Sequence, residues 1–286
     1  MSMKYNESIF RSKMRAEYEK IAEEKMITLS DKSQILVLHT KAQGKEKSKY
    51  KLLVIPGWGS IVLGWDDFLM KAKDYFDIYY VETREKKSSK LSKKSEYTLD
   101  RMSSDLKEVT EILKLDPKET VFFSSSFGAI LNADALTKKK IDPFLSILVG
   151  PMSKIDLPFL FRYLLYIVPS FLARPFAPIG RFWIKKFKSE DEVQAAKYFR
   201  VIEEADPKKW KKFVSRFAFK KFWDTYAGIE SRVLVIDESE DKLHKTIVTN
   251  KIASLIKNSE IVDLKTNKFT HSAGIADFIY KKLSEY

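Results

Sequence analysis

The sequence predicts an α/β fold: a mostly parallel sheet with helices on both faces and a helical cap inserted after the sixth strand. Three observations carry this expectation. Short, continuously apolar runs such as KLLVI, ETVFFS and SRVLVI read as strands buried on both faces. They alternate with stretches of helical periodicity, the order that builds a helix-covered parallel sheet. The alternation breaks once, between about residues 152 and 228, where aromatic and basic helical sequence carries no strand pattern. The chain of 286 residues suits one α/β domain with an insertion. The expected divisions are 1–151 for the first part of the core, 152–228 for the cap and 229–286 for the second part.

Taken in order, residues 6–25 read as a charged helix. Residues 26–42 alternate around a polar SDKS turn and read as a β-hairpin. KLLVIPGWGS (51–60) is a buried strand stopped at Pro56, and FDIYYVETRE (76–85) is the next strand. The lysine–serine run KKSSKLSKKS (86–95) reads as a solvated loop. Residues 96–115 place Leu99, Met102, Leu106, Val109, Ile112 and Leu113 at helical spacing. ETVFFS (119–124) and PFLSILVGP (143–151) are strands flanking a helix over 127–136. After the insertion come a strand (231–239), a helix (246–258), a strand (260–266) and a closing helix (273–286).

Composition narrows the chemistry. There is no cysteine, which excludes disulfides, thiolate catalysis and cysteine-based metal sites. The N-terminal residues lack the apolar segment of a signal peptide. The most apolar stretch, 157–173, is interrupted by Arg162 and Pro169, which argues against a membrane span. A cytoplasmic protein is expected, membrane-peripheral if its cap meets lipid. The net charge of +13 favours anionic partners: phospholipid headgroups, an acidic carrier protein or nucleic acid. No nucleic-acid-reading motif accompanies that charge.

Ser124-Ser125-Ser126-Phe127-Gly128 lies where a buried strand gives way to a helix. A serine at such a junction can be exposed on a sharp turn, beside helix N–H groups able to receive an anion. This is the logic of the G-x-S-x-G nucleophile elbow, with Ser124 in place of the first glycine and Ser126 as the nucleophile. A serine nucleophile needs a base. The chain has three histidines. His39 lies in the first hairpin and reads as structural, and His244 lies in a charged loop. His271 lies between the last strand and the last helix. VLVIDESEDKLH offers four acids to orient it: Asp237, Glu238, Glu240 and Asp241.

These segments together resemble the α/β-hydrolases, from about residue 30 to the end. The order Ser…Asp…His is that family's. PGWGS resembles its oxyanion loop, with Pro56 where histidine is common. ETREKKSS is similar to D-x-R-G-x-G-x-S, matching at Glu82, Arg84 and Ser89 with both glycines lost. VIDESED resembles the strand with its G-x-x-D, and FTHSAG the histidine segment, with Thr270 for glycine. The resemblance implies Ser126 as nucleophile, His271 as base and Asp241 as the orienting acid, with Asp237 as fallback. It also implies an oxyanion hole from the backbone N–H groups of Trp58 and Phe127. Serine at the elbow argues against the dehalogenase and epoxide-hydrolase branches. No metal or organic cofactor is implied.

The insertion points to the substrate. Between 152 and 225 lie three of the five tryptophans, 11 of the 20 phenylalanines, and 16 basic against 8 acidic residues. KKWKKFVSRFAFKKFW (208–223) places Trp210, Phe213, Val214 and Phe217 on one helical face, with lysines opposite. Such a helix suits a lid lining an acyl pocket, simple packing onto the sheet, or contact with an anionic membrane surface. The leading expectation is a serine esterase acting on lipid-like esters, such as a monoacylglycerol or lysophospholipid. PGWG with Trp65 downstream is also similar to carboxylesterases that act on acyl groups held by an acidic carrier protein. An esterase or thioesterase for carrier- or CoA-bound acyl groups is therefore the second expectation. A catalytically inactive membrane-binding protein on the same scaffold is the third, and a haloperoxidase or C–C hydrolase would use the same triad.

Overall fold

The structure is a computed structural model and describes residues 15–155, 200–201, 203–240 and 246–286. The chain opens with the short helix α1 (Glu17–Ile21) and the hairpin β1 (Glu23–Thr28) and β2 (Gln34–Thr40). β3 (Lys51–Ile55), α2 (Asp66–Ala72), β4 (Asp77–Glu82), α3 (Leu99–Ile112), β5 (Thr120–Ser125), α4 (Phe127–Thr137) and β6 (Leu145–Val149) then alternate. The described part of the insertion holds α5 (Pro207–Phe217) and α6 (Trp223–Ala227). β7 (Val233–Asp237), α7 (Thr246–Leu255), β8 (Ser259–Asp263), α8 (Asn267–Thr270) and α9 (Ala273–Leu283) complete the chain.

The eight strands form one sheet in the order β1-β2-β4-β3-β5-β6-β7-β8. β2 is antiparallel to both β1 and β4, and every other pairing is parallel. Alternate residues of each central strand feed opposite faces, as the two-residue period requires. Leu53 and Ile55 join one core with Met102, Leu106, Ile130 and Phe213. Leu52 and Val54 join the other with Trp65, Phe68, Ile275 and Ile279. Helices therefore cover both faces, as the continuous apolar runs predict. No helix among the described residues is long and apolar enough to cross a membrane.

Two local expectations change. The described part of the predicted 6–25 helix ends at Ile21, because Ala22 turns extended and residues 23–28 pair with β2 from Glu23↔His39 to Thr28↔Gln34. Tertiary pairing overrides helix-favouring glutamates and lysine there, and the charged residues lie on an edge strand, where charge discourages further strand addition. The lysine–serine run is not simply solvated either. Lys86 is 7% exposed and Ser89 4% exposed. The buried Lys209 of α5 donates to the Lys86 carbonyl, to the Ser89 carbonyl at 2.6 Å and to Ser89 Oγ at 2.7 Å.

The insertion is closed at its base. Ile155 bridges Ala218, Lys154 bridges Lys221, and the Phe222 amide donates to Ser153 O at 2.7 Å. Residues 156–199, which hold the first half of the predicted cap, lie outside the described residues. The apolar face predicted for 208–217 is already occupied: Phe213, Val214 and Phe217 are buried in the core, whereas Lys208, Lys212 and Arg216 are exposed. Lys209 departs from that pattern and turns inward.

Candidate active site

β5 ends at Ser125 and α4 begins at Phe127, so Ser126 alone makes the turn between them. Its backbone sits at φ 52° and ψ −117°, a region that side chains avoid and that persists only when surroundings enforce it. Three contacts enforce it. The Ser126 amide extends the β5–β6 pairing to Val149 O at 3.1 Å. The Ser126 carbonyl receives Ala129 N at 3.1 Å, which commits the chain to the helix. Gly128 lets that helix press on the end of β3: an added Cβ there would overlap Ile55 O and come within 2.7 Å of Pro56 O.

The three adjacent serines thus have different tasks. Ser124 is fully buried, donates to Ile147 O at 3.1 Å and accepts from Asn132 Nδ2 at 3.1 Å, so its hydroxyl belongs to the core. Ser125 closes the strand. Ser126 is half-buried, and its Oγ faces Met152 Sδ at 3.7 Å.

The predicted oxyanion loop lies against this turn. Gly57 approaches so closely that a Cβ on it would stand 3.0 Å from Ser126 Cβ. Residues 57–60 form a turn closed by Ser60 N to Gly57 O at 3.2 Å, with Gly59 at φ 72° where the third turn position needs a residue without a Cβ. The Trp58 ring stacks on Phe213 of α5 at 4.6 Å and leans on Trp210 at 4.6 Å. Phe213 in turn meets Phe127 edge-on at 4.6 Å. The backbone amides of Trp58 and Phe127 therefore belong to neighbouring segments, clamped by the same cap helix. The Phe127 amide heads α4, where the first N–H groups have no partner within the helix.

His271 follows α8 beyond β8, and Ser126 follows β5, so both lie past the C-terminal ends of parallel strands. Its ring stacks on Trp65 at 3.8 Å and 25°, and Trp65 meets Phe123 of β5 edge-on at 5.6 Å. Nδ1 lies 2.9 Å from Asn267 O. A carbonyl oxygen only accepts, so Nδ1 carries the proton in the neutral ring and Nε2 is the basic nitrogen. Glu238, 1% exposed, fixes this corner from below. Its carboxylate accepts from Thr270 Oγ1 and, at 3.1 Å, from Asn267 Nδ2. Thr270 Oγ1 stands 3.3 Å from His271 Nδ1.

Asp237 ends β7 at 2% exposure, and its Oδ1 has no hydrogen-bond partner among the described residues. Asp241 and His244 lie outside the described residues. His39 is buried in the hairpin, stacked on Tyr79 and paired with Glu23 at 3.4 Å.

The segment after β4 explains why its lost glycines are tolerated. No residue from 83 to 90 has positive φ, so the turn does not require glycine. Arg84 is fully buried and binds Asp105 in a fork, with Asp31 at 2.7 Å and Ser95 Oγ at 2.7 Å. Ser89 Oγ donates to Arg84 O at 2.6 Å and Lys86 O at 2.8 Å. Burial pushes the Glu82 carboxyl up, against the hydrogen bond from Ser88.

No protein-family model matches the sequence, and a search of curated proteins finds no match. Solved structures do match. One is an esterase from Rhodococcus sp. ECU1013, at TM-score 0.67 and 14% identity over 92% of this chain and 98% of that one. The chain has the α/β-hydrolase fold. A lipase candidate from Acinetobacter baumannii AYE shares the α/β-hydrolase fold at TM-score 0.65 and 13% identity, covering 98% of this chain and 94% of that one. A bacterial membrane phospholipase A does so at TM-score 0.67 and 13% identity, covering 98% and 89%. Within the α/β-hydrolase fold, sequence reasoning offered Glu238 only as one of four acids and missed Asn267, Met152, Lys86 and Lys209. Their signals are contacts between distant segments, which no local pattern carries.

Proposed function

We propose that this protein is a serine hydrolase that cleaves carboxylic esters with an apolar acyl group, through an acyl-enzyme on Ser126. The observation that supports this most is the Ser126 backbone, held in a costly conformation at the head of a helix. Ser126 Oγ attacks the ester carbonyl carbon while His271 Nε2 takes its proton. The carbonyl oxygen becomes an oxyanion facing the N–H groups of Trp58 and Phe127. Collapse expels the alcohol, which takes the proton from His271. Water then repeats the sequence, releasing the acid and restoring the serine. Asp241, with Asp237 as the alternative, shares the orienting of the His271 Nδ1–H with the Asn267 carbonyl and balances the imidazolium. The apolar surroundings supplied by Trp58, Trp210, Phe213 and Met152 suit an apolar acyl chain, and the esterase, lipase candidate and phospholipase among the fold neighbours agree with an ester substrate. The test is labelling with a fluorophosphonate probe followed by peptide mapping. One adduct on Ser126, lost in Ser126→Ala and in His271→Ala, is the expected outcome. An unlabelled, folded protein, with detergent or lipid added to open the cap, overturns the reading.

A second reading keeps the triad and changes what carries the acyl group. Lys208, Lys212, Arg216, Lys220 and Lys221 are exposed on and just beyond α5. This basic face would suit an acidic carrier protein, a CoA thioester or an anionic membrane, the last placing a cytoplasmic enzyme at the membrane periphery. Ionic strength separates the cases. Turnover of a carrier-bound acyl group is expected to fall steeply between low and physiological salt, and hydrolysis of a small neutral ester is expected to stay level. Equal salt response for both substrates counts against docking.

A further inference from the structure

The run after β4 places a lysine ammonium directly behind the oxyanion loop. Lys86, 7% exposed, donates from Nζ to Gly57 O at 3.0 Å and to Ser60 O at 2.7 Å. These carbonyls are the first and last of the turn that carries Trp58. We propose that Lys86 is a positioning residue for the oxyanion hole: its ammonium anchors the Gly57–Trp58 peptide so that the Trp58 N–H faces the ester oxygen. This rests on the serine-hydrolase reading of Ser126.

The argument is one of peptide geometry. In a planar trans peptide the C=O and the N–H point in opposite directions. Gly57 O and Trp58 N–H belong to one peptide group, so a cation holding the oxygen on one side turns the N–H to the other. The Gly57 α-carbon abuts Ser126, which places the nucleophile beside that peptide. The ammonium also polarises the amide it binds, which strengthens the N–H as a donor. A charge-assisted donor bound to two carbonyls holds the turn more firmly than the 3.2 Å Ser60–Gly57 hydrogen bond alone.

The anchor is itself anchored. The Lys86 carbonyl accepts from Lys209 Nζ and from Ser89 Oγ, and Glu85 Oε1 stands 3.9 Å from Lys86 Nζ as a counter-charge. Lys209 comes from α5, the helix whose Trp210 and Phe213 grip the Trp58 ring. Cap and loop therefore meet at Trp58 twice: through its ring, and through Lys209 and Lys86 to its backbone. A lysine that served only to fill space would not need both carbonyls of the same turn.

The test compares wild type with Lys86→Met, Lys86→Gln and, as a surface control in the same run, Lys93→Met. A p-nitrophenyl ester reports kcat and KM. A trifluoromethyl ketone of matching chain length reports oxyanion binding, because its hemiketal on Ser126 needs the hole. Lys86→Met is expected to lower kcat about 10- to 100-fold with KM within about two-fold, below the cost of deleting an oxyanion donor outright. The ketone inhibition constant is expected to rise in parallel. Gln, which keeps a donor without the charge, is expected to recover part of both. Lys93→Met is expected to match wild type. A folded Lys86→Met or Lys86→Gln with unchanged kcat and ketone affinity overturns the proposal, as does a rise in KM alone. If Met does not fold, the Gln variant decides by the same criterion. Hydrogen exchange over residues 57–60 separates this proposal from the hydrolase reading. Exchange that quickens in Lys86→Met while wild type turns over no ester would keep the anchor and sink both the ester activity and the catalytic role given to Lys86.

Discussion

At the scale of the residue, Ser126 shows what a one-residue turn between strand and helix costs. A non-glycine residue in its backbone conformation gives up about 1–3 kcal/mol of stability, which the packing of α4 against β3 and β6 must offset. Ser126→Gly removes the strained Cβ along with the hydroxyl. Its expected effect is a net gain of up to about 1 kcal/mol, after the entropy that glycine adds to the unfolded chain, together with loss of ester hydrolysis. Thermal unfolding of wild type and variant side by side measures it. An unchanged or lower midpoint would mean that the turn is not strained. His271 shows residue-scale economy of another kind. The Asn267 carbonyl fixes its tautomer, and the Trp65 ring fixes its plane.

At the scale of the element, α4 is the lever that lifts Ser126 out of the strand. Residues Phe127 to Leu136 are all buried, which is why the helix, Asn132 and Asp134 apart, reads as apolar on every side rather than amphipathic. Its first turn sits on the β3 backbone with no room at Gly128. Gly128→Ala is therefore expected to destabilise the fold by about 1–3 kcal/mol, the usual cost of overpacking, and to lower ester turnover by moving the Phe127 amide. Denaturant unfolding checks the first part, and kcat of the folded fraction the second. A neutral substitution would mean that α4 can slide away from β3 freely. α5 works from the other side: Phe213 touches both Trp58 and Phe127, so one helix face steadies both segments assigned to the oxyanion hole.

At the scale of the whole molecule, buried charge ties distant segments together. Arg84 joins Asp31 of the hairpin turn, Ser95 and Asp105 of α3. Partial burial pushes the Asp31 carboxyl up, but the bonds from Arg84 and the Ser33 amide outweigh it and hold it down at about 2. A carboxyl lowered in the folded state contributes stability that is present above its unfolded value near 4. That contribution is lost as pH falls from there through about 2. Glu82 works in the opposite sense, because burial raises it. Asp31→Asn is expected to be less stable than wild type at neutral pH and to lose less on acidification. Unfolding midpoints between pH 2 and 5 read this out, and parallel curves for the two proteins would exclude Asp31 as a source of acid sensitivity.

Read alone, the sequence carries the class of fold, the succession of strands and helices along the chain, and the strand–turn–helix junction at Ser126. These depend on local signals: continuous apolar runs, helical periodicity, and a serine two places before a glycine at a strand end. Those signals stop between about residues 152 and 228, in the stretch that joins β6 to β7. The tertiary structure decided what depends on contacts between remote segments. It turned Glu23–Lys25 into an edge strand, because β2 offered pairing that outweighed helix propensity. It buried Lys86 in a run that reads as solvated and turned Lys209 inward from a helix whose lysines read as exposed, because carbonyls of other segments satisfy their ammonium groups. It placed Glu238 beneath His271 through Thr270 and Asn267, a juxtaposition of segments about thirty residues apart that no periodicity encodes. Local propensity is written in neighbours along the chain, whereas a site is made by neighbours in space.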